Sequence, residues 1–74
     1  MTCLGIIAGG GGLPQKLIKA CQRDGRNFFV LALQGQTDGK ILKDVPHAWV
    51  RLGATEESIR ILKTKNVDVL VMAG

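Results

Sequence analysis

The sequence predicts an α/β fold: a half-Rossmann-like parallel sheet of about four strands with two helices, open at one edge. Two observations support this prediction. Short apolar runs alternate with amphipathic segments along the 74 residues, and the first apolar run leads directly into four consecutive glycines. Such alternation is typical of parallel strands joined by right-handed crossovers. The length allows one small domain, so residues 1–74 are interpreted as a single unit.

The strands are predicted from the apolar runs. Leu4–Ala8 and Phe28–Leu33 are continuous, as expected of strands buried on both faces. A shorter third strand is predicted over residues 48–52 and a fourth over residues 67–72. Right-handed crossovers make 3-2-1-4 the simplest strand order. This order opens a crevice between the carboxyl ends of strands 1 and 4, where open α/β sheets bind ligands.

The first helix is predicted to start near Pro14, because proline lacks only an N–H that the first turn does not use. It is expected to end at Gly25, which suits a left-handed backbone. The polar stretch over residues 34–43 follows strand 2 and is interpreted as a loop. Within it, Ile41 and Leu42 could start one helical turn.

The second helix is predicted from about residue 56 to residue 65. Thr55 is its expected N-cap, and Asn66 its expected stop. Glutamates at positions 56 and 57 would lie at its positive end. Ile59 and Leu62 are expected to face the sheet.

Composition narrows the function classes. The chain is 46% hydrophobic and has a net charge of +4. Two basic groups contribute to this charge: Lys16, Lys19, Arg23 and Arg26, and then Arg60, Lys63 and Lys65. They could favour phosphates or an anionic membrane surface. A solvated helix face is the preferred interpretation, because helix exteriors are commonly charged. Few aromatic residues and no stacking motif argue against nucleic acid. Without a signal peptide or an apolar span, a cytoplasmic protein is expected.

A glycine run between a strand and a helix is a candidate phosphate site, because its amides and the helix dipole attract anions. The alternative, left open here, is that the glycines only allow a tight turn. No GxGxxG or P-loop motif is present. Asp38 could reach a ribose or metal, but a loop aspartate is more often a turn former. The candidate substrate-binding residues are Gly9, Gly10, Gly11, Gly12, Leu13, Pro14, Asp38, Ala73 and Gly74.

The remaining reactive side chains give no catalytic constellation. His47 enters strand 3 at the end opposite the crevice, and Asp68 is placed inside strand 4 near its amino end. Trp49 is interpreted as core or interface packing. Cys3 and Cys21 are interpreted as small buried hydrophobes. No catalytic residue and no metal ligand is assigned.

The opening Leu4-Gly-Ile-Ile-Ala-Gly-Gly-Gly-Gly-Leu-Pro14 resembles that of the UDP-2,3-diacylglucosamine pyrophosphatases of the LpxI type. The likeness continues through Cys21, Gly25-Arg26, Leu33-Gln-Gly-Gln-Thr-Asp38 and Val67-Asp-Val-Leu-Val-Met-Ala-Gly74. It covers the whole chain, but only the first quarter or so of a family member.

The resemblance implies hydrolysis of UDP-2,3-diacylglucosamine to UMP and 2,3-diacylglucosamine 1-phosphate, a step of lipid A biosynthesis at the cytoplasmic side of the inner membrane. It implies a divalent metal, typically magnesium, for the full-length enzyme. Residues 1–74 would be the N-terminal substrate-binding lobe, with the metal and water carboxylates in a C-terminal domain. The glycine loop would be a wall for the UDP-sugar lipid, with Asp38 as a second candidate.

The fragment alone is therefore expected to bind no metal and to be inactive. Two other interpretations stay open: a stand-alone nucleotide- or phosphate-binding module, and a fragment whose exposed sheet drives self-association. Peripheral membrane contact and a homo-oligomer also stay open.

Overall fold

The computed structural model describes residues 3–37, 39–51 and 53–73. These residues form a parallel sheet in the order β3-β2-β1-β4, which confirms the predicted α/β fold class and strand order. The strands are β1 (Leu4–Ala8), β2 (Phe28–Leu33), β3 (His47–Val50) and β4 (Val69–Ala73). The helices are α1 (Leu13–Arg23) and α2 (Thr55–Thr64), with a 3-10 helix over Gly39–Leu42.

β1 lies at the centre of the sheet and pairs along its whole length with β2 and β4. Leu4 is in register with Phe28 on one side and with Val69 on the other. Because both edges of β1 are paired and both faces are covered, its apolar run is continuous rather than alternating. Ile6 and Ala8 are completely buried.

The two faces of the sheet have different cores. The α1 face, covered by α1 and the 3-10 helix, carries the larger cluster of buried residues: Leu4, Ile6, Ala8, Ile18, Cys21, Val30, Ala32, Leu42, Val45 and Ala73. The α2 face has Phe29, Leu31 and Val50 as its buried cluster, with Ile61 and Leu62 packed on it. α2 itself has no buried residue, so its face is the less completely covered one.

Several predicted helix ends are confirmed. Pro14 lies in the first turn of α1, and Gly25 follows that helix with a left-handed φ of 66°. Asn66 stops α2 with a φ of 55°. The predicted loop after β2 does contain one turn, the 3-10 helix, whose Leu42 is buried.

The predicted cap of α2 is wrong. Ala54 is the N-cap, and its carbonyl accepts the first helical hydrogen bond, from the Ser58 N–H at 3.1 Å. Thr55 is the first helical residue and makes no capping bond. Gly53 has a left-handed backbone with a φ of 88°. The chain therefore turns at Gly53, and the helix starts one residue earlier than the preference for threonine at the N-cap suggests.

Other predicted placements also shift. Ile59 is 46% exposed rather than facing the sheet, whereas Leu62 packs as expected. Trp49 lies on the edge strand β3 and is 40% exposed, so it is not a core residue. Asp68 precedes β4 instead of lying inside it, and its carboxylate accepts a hydrogen bond from the Cys3 N–H at 3.3 Å.

The third and fourth strands were also predicted with shifted bounds. β3 starts one residue earlier than predicted, at His47, and the predicted last residue, Leu52, lies outside the described residues. β4 starts two residues later than predicted and includes Ala73. In the described part of the chain, no helix has the length and apolarity needed to cross a bilayer.

Candidate functional site

The glycine run and the end of β4 meet at the carboxyl edge of the sheet. The Gly9 N–H donates a hydrogen bond of 2.8 Å to the Ala73 carbonyl. The two segments therefore lie at the same edge of the sheet, as the predicted strand order requires, and their contact follows from the parallel pairing of β1 with β4. The predicted site residues Asp38 and Gly74 lie outside the described residues.

Among Gly10, Gly11 and Gly12, only Gly11 has a backbone conformation that requires glycine. Gly11 has a φ of 83°, which strains any residue with a side chain. Gly12 has a φ of −95°, and a Cβ added to it would meet no atom within 4 Å. A Cβ on Gly10 would make an ordinary 3.5 Å contact with the Gln36 carbonyl oxygen. Gly12 thus leaves open space where a side chain would lie, whereas Gly10 lies against the Gln36 carbonyl.

The start of α1 leaves its positive end without a compensating side chain. Gly12 is the N-cap and has no side chain with which to bind the first N–H groups. No acidic residue lies in the first turn. Pro14 is buried and anchors the turn, while Leu13 is half exposed beside it. This end of the helix can therefore attract an anion from solution.

Thr37 fixes the loop beside the glycine run. Its hydroxyl donates a hydrogen bond of 2.6 Å to the Ala8 carbonyl and accepts one of 3.1 Å from the Leu33 N–H. One side chain therefore joins the ends of β1 and β2. Sequence analysis did not single out Thr37, although a threonine just after a strand commonly binds nearby backbone groups.

The described residues contain no group of three or more histidines, cysteines, aspartates or glutamates able to hold a metal ion. Burial raises the pKa of the Cys21 thiol, although the nearby charge of Arg26 acts in the opposite direction. Cys21 is thus a protonated core residue and not a nucleophile.

His47 lies at the amino end of β3, away from the glycine run, as predicted. Its Nδ1 is 2.6 Å from the Val45 carbonyl oxygen, and its ring meets that of Trp49 edge to face at 6.2 Å. Asp68 is likewise at the amino end of its strand. Neither side chain therefore lies at the carboxyl edge with the glycine run.

The fold and the turn together define the class of this protein. It is a Rossmann-like α/β domain with a glycine-rich strand-to-helix turn at the switch point of its sheet, the place where such domains hold ligands.

Comparison with known proteins identifies the family. The model of the LpxI N-terminal domain matches residues 3–74. Over all 74 residues the chain is 38% identical to the UDP-2,3-diacylglucosamine pyrophosphatase LpxI of Caulobacter vibrioides. The chain belongs to the LpxI family, as its opening motif predicts. It spans 26% of the length of this curated relative.

Proposed function

We propose that residues 1–74 are the substrate-binding lobe of a UDP-2,3-diacylglucosamine pyrophosphatase. The complete enzyme would hydrolyse its substrate to UMP and 2,3-diacylglucosamine 1-phosphate in lipid A biosynthesis, at the cytoplasmic side of the inner membrane. Membership of the LpxI family and the activity named for the Caulobacter relative support this proposal. Because the chain spans 26% of that relative, we assign the catalytic groups to the rest of the enzyme.

The observation that supports a role in substrate binding is the surplus of glycine at the switch point. Of Gly10, Gly11 and Gly12, only Gly11 has a left-handed backbone. A Cβ added to Gly12 would meet no atom within 4 Å, so the backbone there is open to close approach. A diphosphate is an anion whose oxygens accept hydrogen bonds from backbone N–H groups. The first turn of α1 offers such groups, together with the positive end of the helix dipole.

In this mechanism the lobe binds and orients the diphosphate, and it contributes no proton transfer. The amides of the glycine turn hold a phosphate oxygen, and the Gly9–Ala73 hydrogen bond fixes that turn against β4. Thr37 fixes the neighbouring loop. We assign the magnesium ligands to the part of the enzyme outside this chain, since the described residues supply no ligand set.

The first test compares activity in two contexts. The purified 74-residue chain, supplied with magnesium and UDP-2,3-diacylglucosamine, should release no UMP. A chimera in which this chain replaces the aligned quarter of the Caulobacter enzyme should release it. Metal-dependent hydrolysis by the isolated chain would contradict the assignment of an inactive lobe. A chimera that folds and binds UMP but never hydrolyses the lipid would instead favour a stand-alone nucleotide-binding module.

The second test locates the ligand. UMP titrated into the 15N-labelled chain should shift the amide resonances of Gly10, Gly11, Gly12 and Leu13. The amides of the turn before α2 provide an internal control, since they lie in a second strand-to-helix turn of the same fold. Shifts confined to that second turn, or to the amino edge of the sheet, would remove the glycine turn from the site.

A further inference from the structure

The outer edge of β4 offers unused backbone groups. In the described residues β4 pairs only with β1. The Val69 N–H and the Ala73 carbonyl both bond toward β1. Backbone groups of a parallel strand alternate in direction, so those of Leu70 and Met72 point to the opposite, open edge.

Apolar side chains lie along the same strand. Val69, Leu70 and Met72 are 47%, 49% and 75% exposed. Leu70 and Met72 are on the α2 face, since they are in register with Gly5 and Ile7 of β1. An apolar groove lies between α2 and the sheet and extends from the end of β3 to β4. Its β4 side, here called the β4 groove, is lined by Ile7, Ile59, Leu62, Leu70 and Met72. An apolar strand with an open edge is a surface that natural proteins normally cover.

The other edge of the sheet is different. β3 has four residues and is entered from Pro46, which cannot donate a hydrogen bond. Its outer residues include His47, which is polar, and Trp49, which lies over Gly39 of the 3-10 helix, where an added Cβ would be 3.6 Å from the ring. The chain thus limits access to β3 and leaves β4 open.

The handedness of the strand connections indicates which element would cover the β4 groove. α1 leads from β1 to β2 over one face, and α2 leads from β3 to β4 in the opposite direction over the other face. Both connections follow the right-handed rule. A further parallel strand beyond β4 would continue the direction of β3 to β4. Its crossover helix would therefore lie on the α2 face, where Leu70 and Met72 are exposed.

We propose that β4 and the β4 groove are the docking surface for one more parallel strand and its crossover helix, supplied by the part of the enzyme that this chain does not span. The Caulobacter relative has ample polypeptide for this, because the chain spans 26% of it. A second copy paired through β4 would extend the sheet, but it would bring no helix over Met72. α2 packs over β1 and β2, where Leu62 lies 3.3 Å from a Cβ placed on Gly5.

Amide hydrogen exchange tests this proposal. The 74-residue chain is compared with one extended by the segment that follows the aligned region in the Caulobacter relative, at least about 30 residues, the size of a βαβ unit. Exchange at Leu70 and Met72 should slow by about 10-fold or more on extension. The outward amides of His47 and Trp49 on β3 should be unchanged. Equal exchange at Leu70 and Met72 in both chains would overturn the proposal.

Cysteine labelling provides a second readout if the extended chain is insoluble. In a Cys3→Ala background, Met72→Cys should react rapidly with a maleimide in the 74-residue chain and about 10-fold or more slowly in the chimera with the Caulobacter enzyme. Trp49→Cys is the matched control and should react equally in both. Equal labelling of Met72→Cys in both proteins would contradict the docking surface. Labelling of Met72→Cys could instead slow as the concentration of the isolated chain rises, and stay slow in a chimera that is dimeric. That result would assign the surface to a second copy of the chain.

Both readouts report on the surface and not on hydrolysis. An active chimera with an unprotected Met72 would overturn this inference alone. A protected but inactive chimera would count against the proposed function alone.

Discussion

Two strand-to-helix turns lie at the carboxyl edge of this sheet, and they differ in what they leave available. The turn before α1 has one glycine with a left-handed backbone, Gly11 at 83°, and the turn before α2 likewise has Gly53 at 88°. One such glycine is therefore enough to connect a strand to a helix here. A left-handed backbone is therefore not the reason for the glycines at positions 10 and 12, which the proposed function assigns to ligand binding.

The helices that follow these turns also differ in charge. α2 has Glu56 and Glu57 in its first turn, so its own carboxylates face its positive end. α1 has no acidic residue there. The strand-to-helix turn before α1 is also flanked on both sides, by Ala73 and by the loop that Thr37 holds. The strand-to-helix turn before α2 instead follows the edge strand β3. An anion is accordingly expected at the turn before α1 and not at the turn before α2.

The largest predicted effect is a loss of UMP affinity when a carboxylate is added to the turn before α1. Gly12→Asp should weaken UMP binding by about 100-fold, because two like charges a few ångströms apart repel strongly near a protein surface. Aspartate is also a better N-cap than glycine, so the helix should not be weakened. Isothermal titration calorimetry gives the affinity and urea unfolding the stability.

Thr55→Asp makes the same charge change at the start of α2 and is the matched control. Its UMP affinity should remain within about twofold, since a carboxylate at the second turn lies away from the proposed site. Equal loss of affinity in both variants would show that the two turns are not distinct.

The next effect is on stability. Gly11→Ala and Gly53→Ala should each lower the free energy of unfolding by about 1–2 kcal/mol, the cost of a left-handed backbone for a residue with a Cβ. Gly10→Ala should cost less than about 0.5 kcal/mol, because its added Cβ makes an ordinary contact. Urea unfolding measures all three. A loss at Gly10 as large as that at Gly11 would mean that the turn needs more than one glycine.

A smaller loss of stability is expected when a side-chain hydrogen bond beside either strand-to-helix turn is removed. Thr37→Val should cost about 1 kcal/mol, because it leaves the Ala8 carbonyl and the Leu33 N–H without the hydroxyl that they share. Thr37→Ser should restore most of this loss. Ser58→Ala, which removes a 2.9 Å bond to the N-cap carbonyl of Ala54, should cost less, since that carbonyl already accepts a helical bond. Equal costs for the two deletions would contradict this distinction.

The smallest predicted effect is the change in stability when a negative charge is removed from the start of α2 or added to the start of α1. Glu56→Gln should destabilise α2 by about 0.5 kcal/mol at low salt, and Gln15→Glu should stabilise α1 by a similar amount. Both changes should shrink at high salt, which thermal unfolding at two ionic strengths would reveal. Gln15→Glu should also weaken UMP binding; unchanged affinity would place the ligand elsewhere.

Much of this fold follows from the sequence because the sheet is buried. The bounds of β1 and β2 were predicted correctly, since strands covered on both faces give unbroken apolar runs. The predicted strand order placed the glycine run and Ala73 at one edge of the sheet, although the hydrogen bond that joins them was not predicted. The placement of Ile59 did not follow, because helical periodicity cannot show that α2 covers β1 and β2 and leaves β4 bare.

The site was predicted less completely. The glycine run stands out in the sequence, but which glycines the turn requires depends on backbone angles that only the structure supplies. Thr37 was missed because one threonine in a polar loop gives no periodic signal, and its two hydrogen bonds depend on where the ends of β1 and β2 lie.

The central position of β1 has a consequence for folding during synthesis. β1 leaves the ribosome first, but its partner β4 is far along the chain, with Leu4 paired to Val69. A nascent chain therefore carries a half-paired apolar strand until β4 has emerged. Bringing such distant segments together is slow relative to forming local helices. The sheet should therefore become complete only after residue 73 has been released, late in the synthesis of this segment.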